Sequence, residues 1–367
     1  TEGITVISDV KAFGEIVTAL EVQLDAPVKQ ADADAAKVTV TVTEEEEEKE
    51  YPREVEGAAL SADGKTVTLS LVEGGFATDP WNTVKYNGYS VEIGGKTIDT
   101  ILGAECPDVD KFESKTYKTP EYLWAKDGET KNTMSARAFT PDKGTYTKPE
   151  AGYPLVVWLH GGGEIGDDNR IQISANDVPA WTEKETQDIF GGAYILAPQN
   201  NAFASWTDAE NPTTCEDAAA ATKSVIDQFI AEKGDIDPNR IYIGGCSYGG
   251  RGTWTMLRFY PDFFAAAYPT CASIYDETTF IPFTEEEIRA LGDMPIYISQ
   301  SSGDQSKYVM SMITVHNKLR QAGNQNVHLA IFEHSEFPGQ DGFVEANGVG
   351  VLDHWVWTYL HANYDAK

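Results

Sequence analysis

Gly245, Ser247 and Gly249 set a serine between two glycines in the run Gly244-Gly245-Cys246-Ser247-Tyr248-Gly249-Gly250. The run follows a stretch of strand length (residues 240–244) and opens one of helical pattern (residues 249–260). A serine on a tight strand-to-helix turn is strained and exposed, and glycines two before and two after it remove side chains that would collide there. The helix N-terminus then offers the Tyr248 amide to a developing oxyanion. The chemistry implied is acyl transfer at a serine hydroxyl. The bland reading is a turn that happens to hold a serine, and the strand before and helix after argue against it.

A second cluster lies upstream. The apolar run 153–159 leads directly into His160-Gly161-Gly162-Gly163-Glu164. Glycines at the C-terminal end of a strand let backbone amides approach a ligand closely. Ahead of a G-x-S-x-G turn, such a segment supplies the other half of an oxyanion hole. The second donor is then Gly162 or Gly163. His160 reads as structural, holding the loop through its ring.

These residues need a scaffold, and the rest of the chain supplies the pattern of one. Residues 1 to about 115 carry short β-branched or alternating runs at 4–7, 15–24, 38–43, 66–71 and 89–93. Turn signals such as Asp63-Gly64, Asn87-Gly88 and Gly94-Gly95 separate them, and no helical pattern intervenes, which predicts a small β-sandwich. From about residue 150, strand-like runs (153–159, 193–197, 240–244, 295–299, 327–332) alternate with helical ones. Thr213 or Thr214 can cap a helix whose Ala221, Val225 and Phe229 share a face and which stops at Gly234. Further helices are expected over 249–260 and 306–321. Alternation of this kind predicts a mostly parallel α/β sheet.

Composition bounds the function. The 367 residues carry 28 Lys+Arg against 58 Asp+Glu, a formal charge of −30, which repels phosphate backbones and excludes a nucleic-acid role. The first 115 residues hold 24 acidic and 10 basic side chains, and the acidic run 44–48 among them reads as a solvated loop or hairpin tip. A hydrophobic share of 41% marks a folded globular chain, and no apolar run approaches the ~18 residues of a membrane span. The chain begins at Thr1 without a signal-peptide core, as a mature or trimmed product would. Cys106, Cys215, Cys246 and Cys271 are too few for a disulfide scaffold and lack metal-ligand spacing, so neither a metal nor a cofactor is expected.

The quoted motifs, together with residues 195–199 and Asp237-Pro-Asn-Arg-Ile-Tyr-Ile leading into the serine turn, resemble the α/β-hydrolase superfamily over roughly residues 115–367. Within it they are similar to bacterial esterases of the feruloyl-esterase and phospholipase/carboxylesterase type. The opening stretch 4–24 looks like the immunoglobulin-like domain that precedes some of those enzymes. The resemblance implies an immunoglobulin-like β-sandwich over 1–115 and an α/β-hydrolase domain over 116–367. It also implies an extracellular serine esterase, acting on small aryl or short-chain esters or on acyl and hydroxycinnamoyl esters of plant cell-wall polysaccharides. Oligomeric state stays open.

The family's chain order is serine, acid, histidine. Asp304 follows the strand-like run 295–299 and is the expected acid; Asp276 is the reserve, and Asp293 sits at the wrong end of that run. Of the six histidines, His160, His316 and His328 fail on position and His361 lies close to the chain's end. His334 and His354 remain, and the context Asp353-His354-Trp355 resembles the family's base at the head of the terminal helix. Cys246 reads as a buried thiol, with Cys215 or Cys271 as possible disulfide partners. Trp206 and Tyr248 could line the substrate pocket, residues 165–190 with Trp181 could form a partial lid, and Trp254 reads as core. Two other readings remain: a serine peptidase of the same fold, and an inert carbohydrate-binding or adhesion protein.

Overall fold

A computed structural model describes the chain except residues 12–13, 45, 73–75, 79–84, 124–128, 176–177, 200–211, 273, 275–281, 333–353, 355 and 357–367. The chain forms two compact units, Thr1–Lys111 with Ser174–Asp177, and Phe112–Ile173 with Val178–Lys367.

The first unit runs β1 (Gly3–Lys11), β2 (Gly14–Gln23), α1 (Gln30–Asp34), β3 (Lys37–Glu44), β4 (Glu47–Arg53), β5 (Val55–Leu60), β6 (Thr66–Leu71), β7 (Phe76–Thr78), β8 (Lys85–Ile93), β9 (Lys96–Ile98), β10 (Ile101–Glu105) and α2 (Pro107–Asp110). One sheet is ordered β10-β1-β2-β6-β5, with β7 also paired to β2; the other is β4-β3-β8-β9. Burial alternates with the pleat, so Val67, Leu69 and Leu71 of β6 point inward while their neighbours face out. They join Ile4, Val22, Val38, Val40 and Val91 in a single apolar cluster, to which both sheets contribute. The sequence hides β4, whose Glu-Glu-Lys-Glu start gives no apolar alternation, because β4 is an edge strand and its charges keep it from pairing with other chains. Glu44 at the end of β3 pairs with Glu47 at the start of β4, and Glu46 between them takes a positive φ of 70°, so the described part of the acidic run lies at the end of a hairpin.

The second unit continues with β11 (Glu113–Leu123), β12 (Thr130–Phe139), β13 (Tyr153–Leu159), α3 (Ile171–Ser174), α4 (Lys184–Phe190), β14 (Tyr194–Gln199), α5 (Pro212–Lys233), β15 (Ile236–Cys246), α6 (Tyr248–Phe259), β16 (Ala266–Thr270), α7 (Glu285–Ala290), β17 (Ile296–Ser301), α8 (Ser306–Ala322) and β18 (Val327–Phe332). Its eight strands are ordered β11-β12-β14-β13-β15-β16-β17-β18. β12 is antiparallel to both of its neighbours, and every pair from β14 to β18 is parallel.

β13 and β14 are buried at every residue, as strands covered on both faces must be, which explains their unbroken apolar runs. α5 lays Ala218, Ala221, Val225 and Phe229 into the core. It begins at Pro212, so Thr213 and Thr214 lie inside its first turn and not at the cap; proline suits the first helical position because its missing N–H has no partner there anyway. Beyond its end, Gly234 takes a φ of 68°, the left-handed residue that terminates a helix. Trp254 of α6 is fully buried and meets Phe283 edge-on at 5.8 Å.

Candidate active site

Parallel strands in register bring their C-terminal ends to one edge of the sheet. Leu159 pairs with Gly245 and Cys246 with Thr270, so the loop after β13, the turn after β15 and the residues after β16 are neighbours. Ser301 pairs with Phe332, which adds the end of β17 to the same row. Such an edge, where strand order switches, is where open α/β sheets place their ligands.

Ser247 occupies the turn between β15 and α6 with φ 55° and ψ −112°. Only a turn fixed from all sides holds a side-chain-bearing residue there, and the strain costs of order 1–3 kcal/mol. Its N–H donates to the Thr270 carbonyl at 3.0 Å, and its own carbonyl accepts the Arg251 N–H at 3.0 Å. Two glycines make the close approach possible. A Cβ on Gly249 would overlap the Leu159 carbonyl oxygen, and one on Gly245 would come within 2.5 Å of the Gly249 carbonyl oxygen. Ser247 and Tyr248 are partly exposed, whereas the glycines around them are buried.

The loop after β13 forms a single 3-10 turn over Gly162–Glu164. Gly162 lies against the Tyr248 ring, which a Cβ there would overlap. The His160 ring is buried, its Nδ1 2.7 Å from the Gly161 carbonyl oxygen, so it steadies the loop. Gln199, at the end of β14 and fully buried, accepts the Asn169 N–H through Oε1 at 2.8 Å and donates Nε2 to Asp168 at 2.8 Å. Trp181, in the 165–190 stretch, is 8% exposed and its ring meets that of Trp158 of β13 at a tilt, centroids 5.8 Å apart.

Asp304 follows β17. Its Oδ2 accepts from His354 Nδ1 at 2.7 Å and from Gln300 Nε2 at 2.8 Å, while Oδ1 accepts the Gln305 N–H at 2.7 Å. The Asp304 side chain is 5% exposed and that of His354 18%. With Nδ1 donating to the carboxylate, Nε2 is the nitrogen left to take a proton. The His354 ring also meets the Tyr308 ring of α8, centroids 5.2 Å apart. Asp293 stays at the opposite end of β17, accepting the Gln325 N–H. The alternatives His334 and Asp276, and the pocket residue Trp206, lie outside the described residues.

Sequence reasoning did not single out Gln300, Tyr308 or Arg251. Gln300 sits four residues ahead of Asp304 in a buried strand, and that spacing is its sole signal. The Tyr308 and Arg251 contacts arise from α8 and α6, which only the fold brings together.

All four cysteines are buried and none is in a disulfide. Cys271, at φ 51°, shares a 4.8 Å cluster with the Asp304 carboxylate and the His354 ring, the one such potential metal-ligand group among the described residues. Burial pushes its thiol up to about 12 and also raises that of Cys246 well above the usual range. Both thiols are therefore held in the protonated form, which suits packing and not nucleophilic attack.

In overall structure the chain is similar to a thermostable esterase, with a TM-score of 0.73 at 23% identity over 99% of this chain and 97% of that one. This is an α/β-hydrolase fold. An acylaminoacyl peptidase from Pyrococcus horikoshii aligns with a TM-score of 0.47 at 14% identity, over 100% of this chain and 56% of the other. Residues 201–325 match the sequence profile of the prolyl oligopeptidase family. Over 131 residues the chain is 30% identical to poly(3-hydroxyalkanoate) depolymerase C of Paucimonas lemoignei, covering 34% of this chain and 29% of that enzyme. The chain thus spans under a third of that relative's length. The serine turn, the glycine loop and the Asp304–His354 pair all lie at the carboxyl edge of the hydrolase sheet.

Proposed function

We propose that this chain is a serine hydrolase of carboxylic esters, with Ser247 as nucleophile, His354 as base and Asp304 as the acid that orients it. The observation that carries the reading is the 2.7 Å contact between His354 Nδ1 and Asp304 Oδ2, made across fifty residues at the same sheet edge as the strained serine. In this reading Ser247 Oγ attacks the ester carbonyl while His354 Nε2 takes its proton. The tetrahedral oxyanion is held by the Tyr248 amide and by that of Gly162 or Gly163. His354 then protonates the departing alcohol, leaving an acyl-serine. Water enters by the same route, gives its proton to His354 and releases the acid, and the serine is restored. No cofactor takes part.

The substrate class we propose is acyl or hydroxycinnamoyl esters of cell-wall polysaccharides, with small aryl esters as accessible surrogates. This rests on the sequence resemblance, as does an extracellular location. For residues 1–115 the immunoglobulin-like reading is supported by two sheets around one apolar cluster.

Ser247→Ala should abolish hydrolysis of a small aryl ester while the circular-dichroism spectrum and melting temperature stay those of the parent. Full residual turnover would overturn the mechanism. A fluorophosphonate probe should label the parent and not the variant; an unlabelled parent would favour an inert binding protein. The profile match over 201–325 favours a second reading, a peptidase of the same fold. Cleavage of an aryl amide at a rate comparable to the matching ester would select it.

A further inference from the structure

One charge beside the serine has no counter-ion among the described residues. Arg251 lies one turn into α6, and its side chain belongs to a residue only 3% exposed. The guanidinium carbon sits 5.0 Å from the centroid of the Tyr248 ring and 5.9 Å from that of Tyr308. Tyr248 is the residue next to the nucleophile, and the Tyr308 ring lies against His354. The cation is therefore held between an aromatic on the serine side of the site and one on the histidine side. Among the described residues, no carboxylate forms an ion pair with it and no acceptor takes a hydrogen bond from it.

A guanidinium is always charged and brings five N–H donors out of water with it. Contacts with ring faces offset only a fraction of that cost. The largely buried Arg258 side chain, by contrast, meets Glu287 at 3.1 Å. An unpaired cation beside the nucleophile is what a site carries when its counter-ion arrives with the ligand. A planar fork of donors matches a carboxylate bidentately.

Building on the serine-esterase reading, we propose that Arg251 is a specificity residue, and that the preferred substrates are esters bearing a free carboxylate near the scissile bond. The carboxylate docks on the guanidinium between Tyr248 and Tyr308 and sets the ester carbonyl over Ser247. Half-esters of dicarboxylic acids and acid-terminated oligoesters have this chemistry.

The test compares mono-4-nitrophenyl esters of adipic and suberic acid with 4-nitrophenyl hexanoate and octanoate, after subtraction of spontaneous hydrolysis. The parent should show a higher kcat/KM for at least one half-ester than for its neutral partner of equal chain length. Arg251→Met should lower that ratio by about 10- to 100-fold, mostly through KM, the loss expected for hydrogen bonds to a charged group. Arg251→Lys, which keeps the charge and loses the fork, should lower it less, and it decides the matter if the methionine variant fails to fold. A parent ratio at or below one overturns the proposal, because the counter-ion then comes from the chain itself. So does a ratio unchanged in folded, fluorophosphonate-labelled variants. Hydrolysis of the neutral esters without carboxylate preference leaves the esterase reading standing. No turnover and no labelling of the parent removes that reading and this inference with it.

Discussion

At the scale of single residues, the site depends on a carboxylate held by three donors. Asp304 accepts from His354, Gln300 and the Gln305 amide, and its side chain is almost wholly enclosed. Asp304→Asn keeps the shape but gives the ring a donor where it needs an acceptor, so the imidazole is held in the wrong tautomer. We expect kcat to fall by roughly 10³- to 10⁴-fold with the melting temperature little changed. Gln300→Leu leaves the acid in place and removes one of its restraints. A fall of about tenfold in kcat with KM unmoved is expected from a lost charge-assisted hydrogen bond; an equal loss in kcat and stability would mark Gln300 as merely structural. Ser247 and Asp304 are readable from local pattern, a turn between a strand and a helix and an acid after a strand. The His354–Asp304 contact is not, because it joins segments fifty residues apart.

At the scale of elements, the serine turn is possible only because β15, β13 and α6 nearly touch. Gly249→Ala would set a methyl group into the Leu159 carbonyl, which belongs to a fully buried strand and cannot move aside. The variant should lose several degrees of melting temperature and nearly all turnover together, in contrast to Asp304→Asn. Trp254→Ala, deeper on the same helix and fully buried, should cost about 3–5 kcal/mol in denaturant unfolding through the cavity it leaves. Strands β13 and β18 and the start of α8 are legible because a mostly apolar run of strand length or a steady helical period stands out from its surroundings. The wet edge strand β4 and the short β16 are not, since neither carries a pattern that distinguishes it from a loop.

At the scale of the whole molecule, the excess of acid is a surface property with a pH consequence. The Lys115 ammonium, 2.8 Å away, holds the Glu232 carboxyl below its ordinary value of 4.5. A depressed carboxyl stabilises the folded state above that ordinary value, and the contribution disappears as pH falls through the folded-state pKa. The Glu232→Gln variant should therefore melt below the parent at pH 6, with the gap closing as pH falls below 4.5 and through the lowered folded-state pKa. The gap should be small, because the pair is partly solvated. A gap that widens toward acid would contradict the pairing. Local chemistry reaches as far as period, turn residues and the spacing of small side chains, and these suffice for a serine turn, a glycine loop and an alternating α/β chain. Whatever depends on two segments meeting in space is invisible to it. The order of the eight strands, the ring that pairs with Asp304, and a buried arginine left between two tyrosines come from packing, because side-chain contacts between distant segments are chosen by the shape and free energy of the assembled core and leave no mark on either segment alone.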